Sequence, residues 1–541
     1  MNIYRLFPWL LAALIATPMN GVALADQDKR PIYVISDLHM GVGHTKGDNG
    51  YVLEDFRWPR AFDGFLRQIS NEHPKGVDLV IAGDLLDLWQ HPTVACAKLR
   101  DTECGCSMEE MKQIVKDVIS GHQAEFNSLG RFLSGTQNRV IVIPGNHDVA
   151  LMEEEIWQFV ARAVPAGQER LMRVKSEAWF SSDGKICIEH GHQYTFDVNR
   201  FPDWPNGITK ACKGGKRFFR TGGENFVQSL FNDKEALIPL IDNLVPESMA
   251  ISIYSQYSDL KGKKSEDIAR LAIFVLLQTS FYQKLQWLEI KSGERDKKST
   301  DQIIDFCRRC MGEDVVLGSE EGQRYRTQAG ITGAEQEKEF RLAMREQIAS
   351  LDDDAFRELC LRAADRSKGE LKANPDMATD PNCSKPLGYG ASKLFDPKGE
   401  NIRKKRIAKW NEEQPGMHIY VFGHTHESTI SEAVLLVETE KTINAFNTGA
   451  FQRLMDKEYF NNKRQKKEDD VKLLGRLKHD DMKPCYPFLE ILYDKQGIPT
   501  AQLKQWYQEE SFWGNGEFLN SCDDKCSAMP ARCPRMESTL F

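Results

Sequence analysis

The chain has 541 residues, with 71 Lys plus Arg against 79 Asp plus Glu and a formal net charge of −8. Hydrophobic residues make up 41% and charged residues 28%, which excludes global disorder and leaves an ordinary globular composition. The mild acidity argues against a general polyanion binder, and past the N-terminus no apolar run reaches the ~18–20 residues that span a bilayer.

Residues 1–25 read as a secretory signal peptide. Arg5 gives a positive start, Leu10 to Ala16 a short apolar core, and Ala23-Leu24-Ala25 a small-x-small cleavage site. The expectation is export to the periplasm or the medium; left uncleaved, the segment would anchor the chain in a membrane facing outward. With no Cys at the cleavage site, a lipoprotein anchor is not expected. All 13 cysteines lie in the mature chain, where an oxidising compartment should pair several, and the odd count leaves at least one over. Cys307-Arg308-Arg309-Cys310 lies in a polar helical pattern and reads as a structural thiol pair rather than a redox motif. Cys522, Cys526 and Cys533 suggest a disulfide-stapled tail.

From Pro31 onward strands and helices alternate. Ile32 to Ile35 is a short buried strand, and residues 58–70 carry Phe62, Phe65, Leu66 and Ile69 at helical spacing. Val77 to Ala82 is the next strand. Residues 107–133 read as helical, with Met111, Ile114, Val115, Val118 and Ile119 on one face. Val140 to Ile143 and Ile186 to Ile188 are further strands. This alternation predicts an α/β domain with a parallel-containing sheet. Residues 200–400 are mostly helical and polar, with an apolar helix at 268–290, charged helices over 334–365 and a loop at 366–398. Strand signals return at His418–Phe422, Val434–Val437, Thr442–Phe446 and Phe488–Leu492.

Five polar blocks sit at or just past predicted strand ends, where α/β sheets build their sites. They are Asp37-Leu38-His39, Gly83-Asp84-Leu85-Leu86-Asp87, Gly145-Asn146-His147-Asp148, His190-Gly191-His192 and Gly423-His424-Thr425-His426. Six of the 12 histidines fall in them. Asp, Asn and His are ligands for a borderline divalent metal. Singly each block is a common turn; their order and placement together mark one metal site.

The order D-x-H, G-D-x-x-D, G-N-H-D, H-G-H, G-H-T-H resembles the calcineurin-like metallophosphoesterase superfamily. The similarity covers about 31–200 and 402–500, and Asn447-Thr448-Gly449 is similar to the signature that follows the last histidine pair. The resemblance implies a β-sandwich flanked by helices (αββα) and two divalent metal ions, of Mn, Fe, Zn, Ni or Co type. Asp37, His39 and His426 would hold one ion and Asn146, His190 and His424 the other, with Asp84 between them. A shared carboxylate is what two neighbouring cations require, and neutral Asn146 keeps the cluster electrophilic. His147, beside a ligand but not one, is the expected general acid, oriented by Asp87; Asp148 is the alternative partner, or an N-cap for the following helix. His192 is expected to line the site, while His44 and Arg200 are candidate substrate contacts. No Gly-x-Ser-x-Gly elbow or Walker-type loop suggests covalent or nucleotide-driven chemistry.

Two departures stand out. The Ser/Thr phosphatases of the superfamily continue the second block as Asp-Arg-Gly; here Asp87 is followed by Leu88 and Trp89. The sequence there looks more like the bacterial lipid-A-type pyrophosphatases or the general phosphodiesterases. The step from His190 to His424 is 234 positions, too long for a structureless loop, so an inserted helical cap is expected. The resulting organisation is a leader at 1–25, a catalytic domain in two parts (26–200 and 401–500), a mainly helical insert at 201–400 and a Cys-containing tail at 501–541. The expected function is an exported dinuclear-metal phosphoesterase that hydrolyses phosphomonoesters or phosphodiesters by metal-hydroxide attack. The alternatives are a phosphoprotein or nucleotide phosphatase, or a non-catalytic metal-binding scaffold of the same fold. The expected partner is a phosphate-ester substrate; an acidic exported chain fits nucleic acid poorly.

Overall fold

The computed structural model describes residues 29–43, 53–91, 103–135, 137–193, 199–228, 399–426, 428–436, 441–466, 468–509 and 516–520, with Cys96, Cys526 and short pieces between 232 and 388. The leader, His44 and the helix at 268–290 lie outside these residues. No helix among the described residues is long and apolar enough to cross a membrane.

In chain order the first half gives β1 (Ile32–Ile35), α1 (Pro59–Glu72), β2 (Asp78–Ala82), α2 (Met108–Gly121), α3 (Gln123–Ser134), β3 (Arg139–Ile143), α4 (Glu154–Ala163), β4 (Leu171–Arg173), β5 (Trp179–Phe180) and β6 (Ile186–Ile188). The later part gives α5 (Gly399–Glu413), β7 (Ile419–Phe422), β8 (Thr429–Leu436), β9 (Lys441–Asn447), β10 (Cys485–Tyr493), β11 (Pro499–Tyr507) and β12 (Glu517–Asn520). Two sheets result. The first runs β12-β11-β10-β1-β2-β3-β4, with β1 to β4 parallel and β10 to β12 antiparallel. The second runs β8-β9-β7-β6-β5, with β6, β7 and β9 parallel.

The apolar runs of β1, β2 and β3 are unbroken because both faces are covered. Alternate residues then divide between two cores. Ile32, Val34, Val80, Ala82, Ile141 and Ile143 meet Ile186, Ile188, Ile419, Val421 and Phe446 of the second sheet. Tyr33, Ile35, Leu79, Ile81, Val140 and Val142 face outward to Phe62, Phe65 and Ile69 of α1, Ile114 of α2, Phe126 of α3 and Ile156 of α4. Behind the second sheet, Cys187, Tyr420, Ile443 and Ala445 pack on Ile407 and Trp410 of α5. The layers are helix, sheet, sheet, helix. Each fully buried aliphatic or Phe side chain contributes roughly 1.5–3 kcal/mol.

The stretch expected to be helical over 107–133 is helical, as two helices. A capping box between Ser107 and Glu110 starts α2, and α2 ends at His122. The break falls at a close contact. The chain at Val42 and Gly43 presses against Gly121, whose added Cβ would lie 2.3 Å from the Val42 carbonyl oxygen. Residues past 500 are more than a tail: β11 and β12 complete the first sheet, and Cys526 is bonded to Cys485 in β10. The stretch from 201 opens with a hairpin, Thr209–Cys212 and Gly215–Phe219, which adds to Cys104–Ser107 as a three-stranded sheet and is tied by Cys104–Cys212. Ile238, Leu240, Ile241 and Leu244 enter the main core. A helix at Ala334–Ala349 is described; the loop 366–398 holds a two-stranded pairing of Glu370–Leu371 with Leu387–Gly388. Cys307 and Cys310 are not a pair: Cys310 is disulfide-bonded, while Cys307 is a buried thiol beside the Cys360 carbonyl.

Candidate metal centre

The parallel strands of both sheets end at one edge, and the polar blocks follow them there. Past its last residue β1 stays alongside β2: the amides of Asp37, His39 and Met40 donate to the carbonyls of Gly83, Asp84 and Leu85. The second sheet joins through the Gly423 amide, which donates to the His190 carbonyl, and the His424 amide, 3.0 Å from Asp37 Oδ2.

The backbone is bent to deliver these side chains. Among the described residues, five that are not glycine have positive φ: Asp37 (54°), His39 (52°), Asp84 (50°), His424 (72°) and His426 (56°). All five belong to the ligand set read from the sequence. Left-handed backbone at such residues costs of order 1–3 kcal/mol each and persists where the surroundings over-determine it, commonly at functional sites. The motif glycines make room. At Gly83 (φ 96°) an added Cβ would lie 2.1 Å from His190 Nδ1, and at Gly145 it would lie 2.2 Å from Asp84 Oδ1.

Donor atoms converge in overlapping groups: Asp37, His39 and His426; His39, Asp84 and His147; Asp84, His190 and His424. Asp84 belongs to two of them. Its Oδ2 lies 3.0 Å from His190 Nε2 and 3.8 Å from His39 Nε2. His39 and His426 face each other, Nε2 to Nε2, at 3.1 Å. Asn146 Oδ1 lies 2.9 Å from His190 Nε2, and its buried Nδ2 has no partner. His190 Nδ1 lies 2.9 Å from the Ala82 carbonyl oxygen. The Nδ1–H donates there, and Nε2 is the nitrogen turned to the cluster, facing Asp84 Oδ2 and Asn146 Oδ1.

Electrostatics at the cluster are unbalanced. Burial pushes the Asp37 carboxyl up, whereas Asp84 stays well below the usual range because His190 and His147 outweigh its burial. Burial opposes charge on His190, but the Asp84 carboxylate overrides it and raises the group to about 9. Burial and the adjacent His39 push His426 well down. Crowded carboxylates and paired imidazoles with converging lone pairs are what a divalent cation neutralises, so the donor set fits such ions.

His147 sits at the rim, its side chain 17% exposed. Its Nδ1 is 3.2 Å from Asp87 Oδ2, and Asp87 Oδ1 accepts from the amides of Trp89 and Gln90. Burial opposes charge on Asp87, yet His147 holds it well below the usual carboxylate range. Asp148 stands at the N-cap position of the short helix Val149–Met152, but its side chain makes no cap hydrogen bond there. Its two oxygens accept from the amides of Gly145, Leu85 and Leu86, which locks the turns that carry Asp84 and Asn146. His192 is buried beside His190, with no hydrogen-bond partner on either ring nitrogen and the Trp204 ring 4.6 Å away. Arg200 lies half-buried in the loop beyond. Asn447 and Thr448 brace the loops: Asn447 Nδ2 donates to Thr425 Oγ1, and Thr448 Oγ1 is 2.6 Å from Ser36 Oγ.

Sequence reading missed an acidic layer beneath the cluster. Asp55 is buried against His39 and Asp87, and Asp242 accepts from Gln90. Burial raises both, Asp242 to about 7. Neither residue stands at a strand end, so no pattern signals it. The Trp89 ring lies on His147; its only signal is its place two residues after Asp87.

Residues 30–240 match the family model described as calcineurin-like phosphoesterase. Over that stretch the chain is similar to the calcineurin-like phosphoesterases. No curated protein matches the chain. The phosphoesterase match contains Asp37, His39, Asp84, Asn146 and His190 but ends before His424 and His426. The two late histidines join the earlier candidate ligands because β7 pairs with β6 in parallel register, Ile419 against Ile186. The family is one of metal-dependent phosphoester hydrolases, and its α/β fold agrees with the two sheets and their helices.

Proposed function

We propose that this protein is an exported, dinuclear-metal phosphoesterase acting on phosphomonoesters or phosphodiesters. The observation that carries the reading is the convergence of Asp37, His39, Asp84, His190, His424 and His426 on one sheet edge, five of them on left-handed backbone. Asp37, His39 and His426 would hold one cation and Asn146, His190 and His424 the other, with Asp84 shared. When bound, the cations supply Lewis acidity toward the phosphoryl oxygen and an activated water at neutral pH.

The chain's own residues supply the rest. Asp87 keeps the His147 proton on Nδ1 and leaves Nε2 for proton transfer. The water oxygen forms the new bond to phosphorus, and the ester P–O bond breaks with its electron pair on the departing oxygen. His147 Nε2 gives that oxygen a proton, a contribution of typically 10²–10⁴-fold for a positioned acid. A scaffold without turnover would have no use for this His147–Asp87 pair. The insert at 201–400 would set substrate choice. Export is supported by the leader and by disulfides between described residues, Cys96–Cys106, Cys104–Cys212 and Cys485–Cys526.

A panel of phosphomonoesters, diesters, nucleotides and phospholipids, assayed with defined divalent cations, tests the reading. Cation-dependent turnover of one ester class is expected; inactivity on all of them would contradict it. Mass spectrometry of the chain recovered outside the cytoplasm is expected to find Asp26 as the first residue.

A further inference from the structure

We propose that Trp89 is a positioning residue for His147, a role that rests on the phosphoesterase reading above. The indole and imidazole rings are stacked, with centroids 3.6 Å apart and planes 23° from parallel. Trp89 is only 4% exposed, so its ring is a fixed surface, whereas His147 can be reached from outside.

A second observation ties the two rings into one unit. The Asp87 carboxylate takes the Trp89 amide on Oδ1, at 2.8 Å, and faces His147 Nδ1 with Oδ2, at 3.2 Å. One carboxylate thus sets the register of the indole and the tautomer of the imidazole. On another side His39 contacts His147 edge to face, with centroids 4.4 Å apart. A hydrogen bond to one nitrogen leaves an imidazole free to swing about that bond. A flat partner 3.6 Å away removes the swing and fixes the direction of Nε2.

The local sequence supports a dedicated role. Leu85, Leu86 and Leu88 pack into the main core, and Trp89 lies outside it with its ring on His147. This is also where the chain departs from Asp-Arg-Gly: Leu88 stands at the Arg position and Trp89 at the Gly position.

The test uses the full-length cation-loaded protein and two esters of the class it hydrolyses, one with a p-nitrophenolate leaving group and one with an alkoxide. p-Nitrophenolate departs with little help from an acid, whereas an alkoxide requires it. Trp89→Ala and Trp89→Leu are expected to lower the alkyl-ester kcat about tenfold more than the p-nitrophenyl kcat, with Trp89→Phe restoring most of the loss. In a His147→Ala background, Trp89→Ala should add no further leaving-group discrimination, since the two act as a unit. Equal losses on both esters, or full additivity with His147→Ala, would overturn the inference while leaving the phosphoesterase reading intact. A wild type inactive on both esters would overturn both. Trp89→Phe keeps the test open should the smaller variants fail to fold.

Discussion

At the scale of single residues, the candidate ligand set is built against the backbone's own preference. Asp37, His39, Asp84, His424 and His426 all occupy left-handed φ, and the surrounding hydrogen bonds hold them there. Glycines beside them are spacers. Gly83→Ala is expected to cost at least ~2 kcal/mol, because its Cβ would strike His190 and its φ is 96°. Activity should fall with it. Gly475→Ala is the control: nothing lies within 4 Å of the added Cβ inside the helix Asp470–Arg476, so a gain of about 0.5–1 kcal/mol is expected. Melting temperatures of the two variants check the contrast. Sequence spacing marks the candidate ligands because a metal demands certain donors at strand ends. Asp55, Asp242 and Trp89 act through contacts from loops, and no period or block marks them.

Among the elements, the α2–α3 junction shows what periodicity misses. Helical apolar spacing does not mark the break at His122, which falls where the loop after the first motif packs on Gly121 and leaves no room for a Cβ. Buried charge then fixes the junction. Glu54 accepts from the amides of Gly41, Gly43 and Phe56, and His122 lies between Glu54 (3.1 Å) and Glu125 (3.2 Å). Burial opposes charge on His122, but Glu54 and Glu125 raise it to about 10. A folded-state pKa above the unfolded ~6.5 gives stability that is complete below that value. It is lost as pH rises through about 10. Thermal melts of wild type and His122→Gln from pH 6 to 11 should therefore converge as pH rises; a constant gap would mean that His122 contributes by packing alone. On the opposite layer, α5 is keyed by a buried carboxylate: Glu189 accepts from Trp410 Nε1 and from the Tyr420 hydroxyl, with Arg406 nearby. Nothing in the 399–413 pattern signals that lock, since its partner is fixed only when the second sheet forms.

For the whole molecule, the alternation of strands and helices suffices to read an α/β fold, because each apolar run of β1 to β3 requires cover on both faces. Pairing order is less legible. β10, which follows the last ligand block by some 60 positions, lies directly beside β1, and only the buried cross-sheet contacts of Ile491 and Leu489 reveal it. The far C-terminal strands are held by Cys485–Cys526, a link across 41 positions. Cys485→Ser is expected to cost about 3–4 kcal/mol in a denaturant melt by the loop-entropy relation, and under reductant, where the bridge is open in both, the gap between wild type and variant should close.

The central claim is that one metal cluster organised by Asp84 hydrolyses phosphate esters. The most direct measurement is the hydrolysis rate of p-nitrophenyl phosphate and its bis ester by purified full-length chain, chelated and then resupplied with Mn²⁺, Zn²⁺ or Ni²⁺, for wild type and Asp84→Ala. The account predicts activity in the wild type that is lost on chelation and returns with the cation, and only background rates in Asp84→Ala under every condition. Equal activity in wild type and Asp84→Ala, or turnover indifferent to chelation, would contradict it.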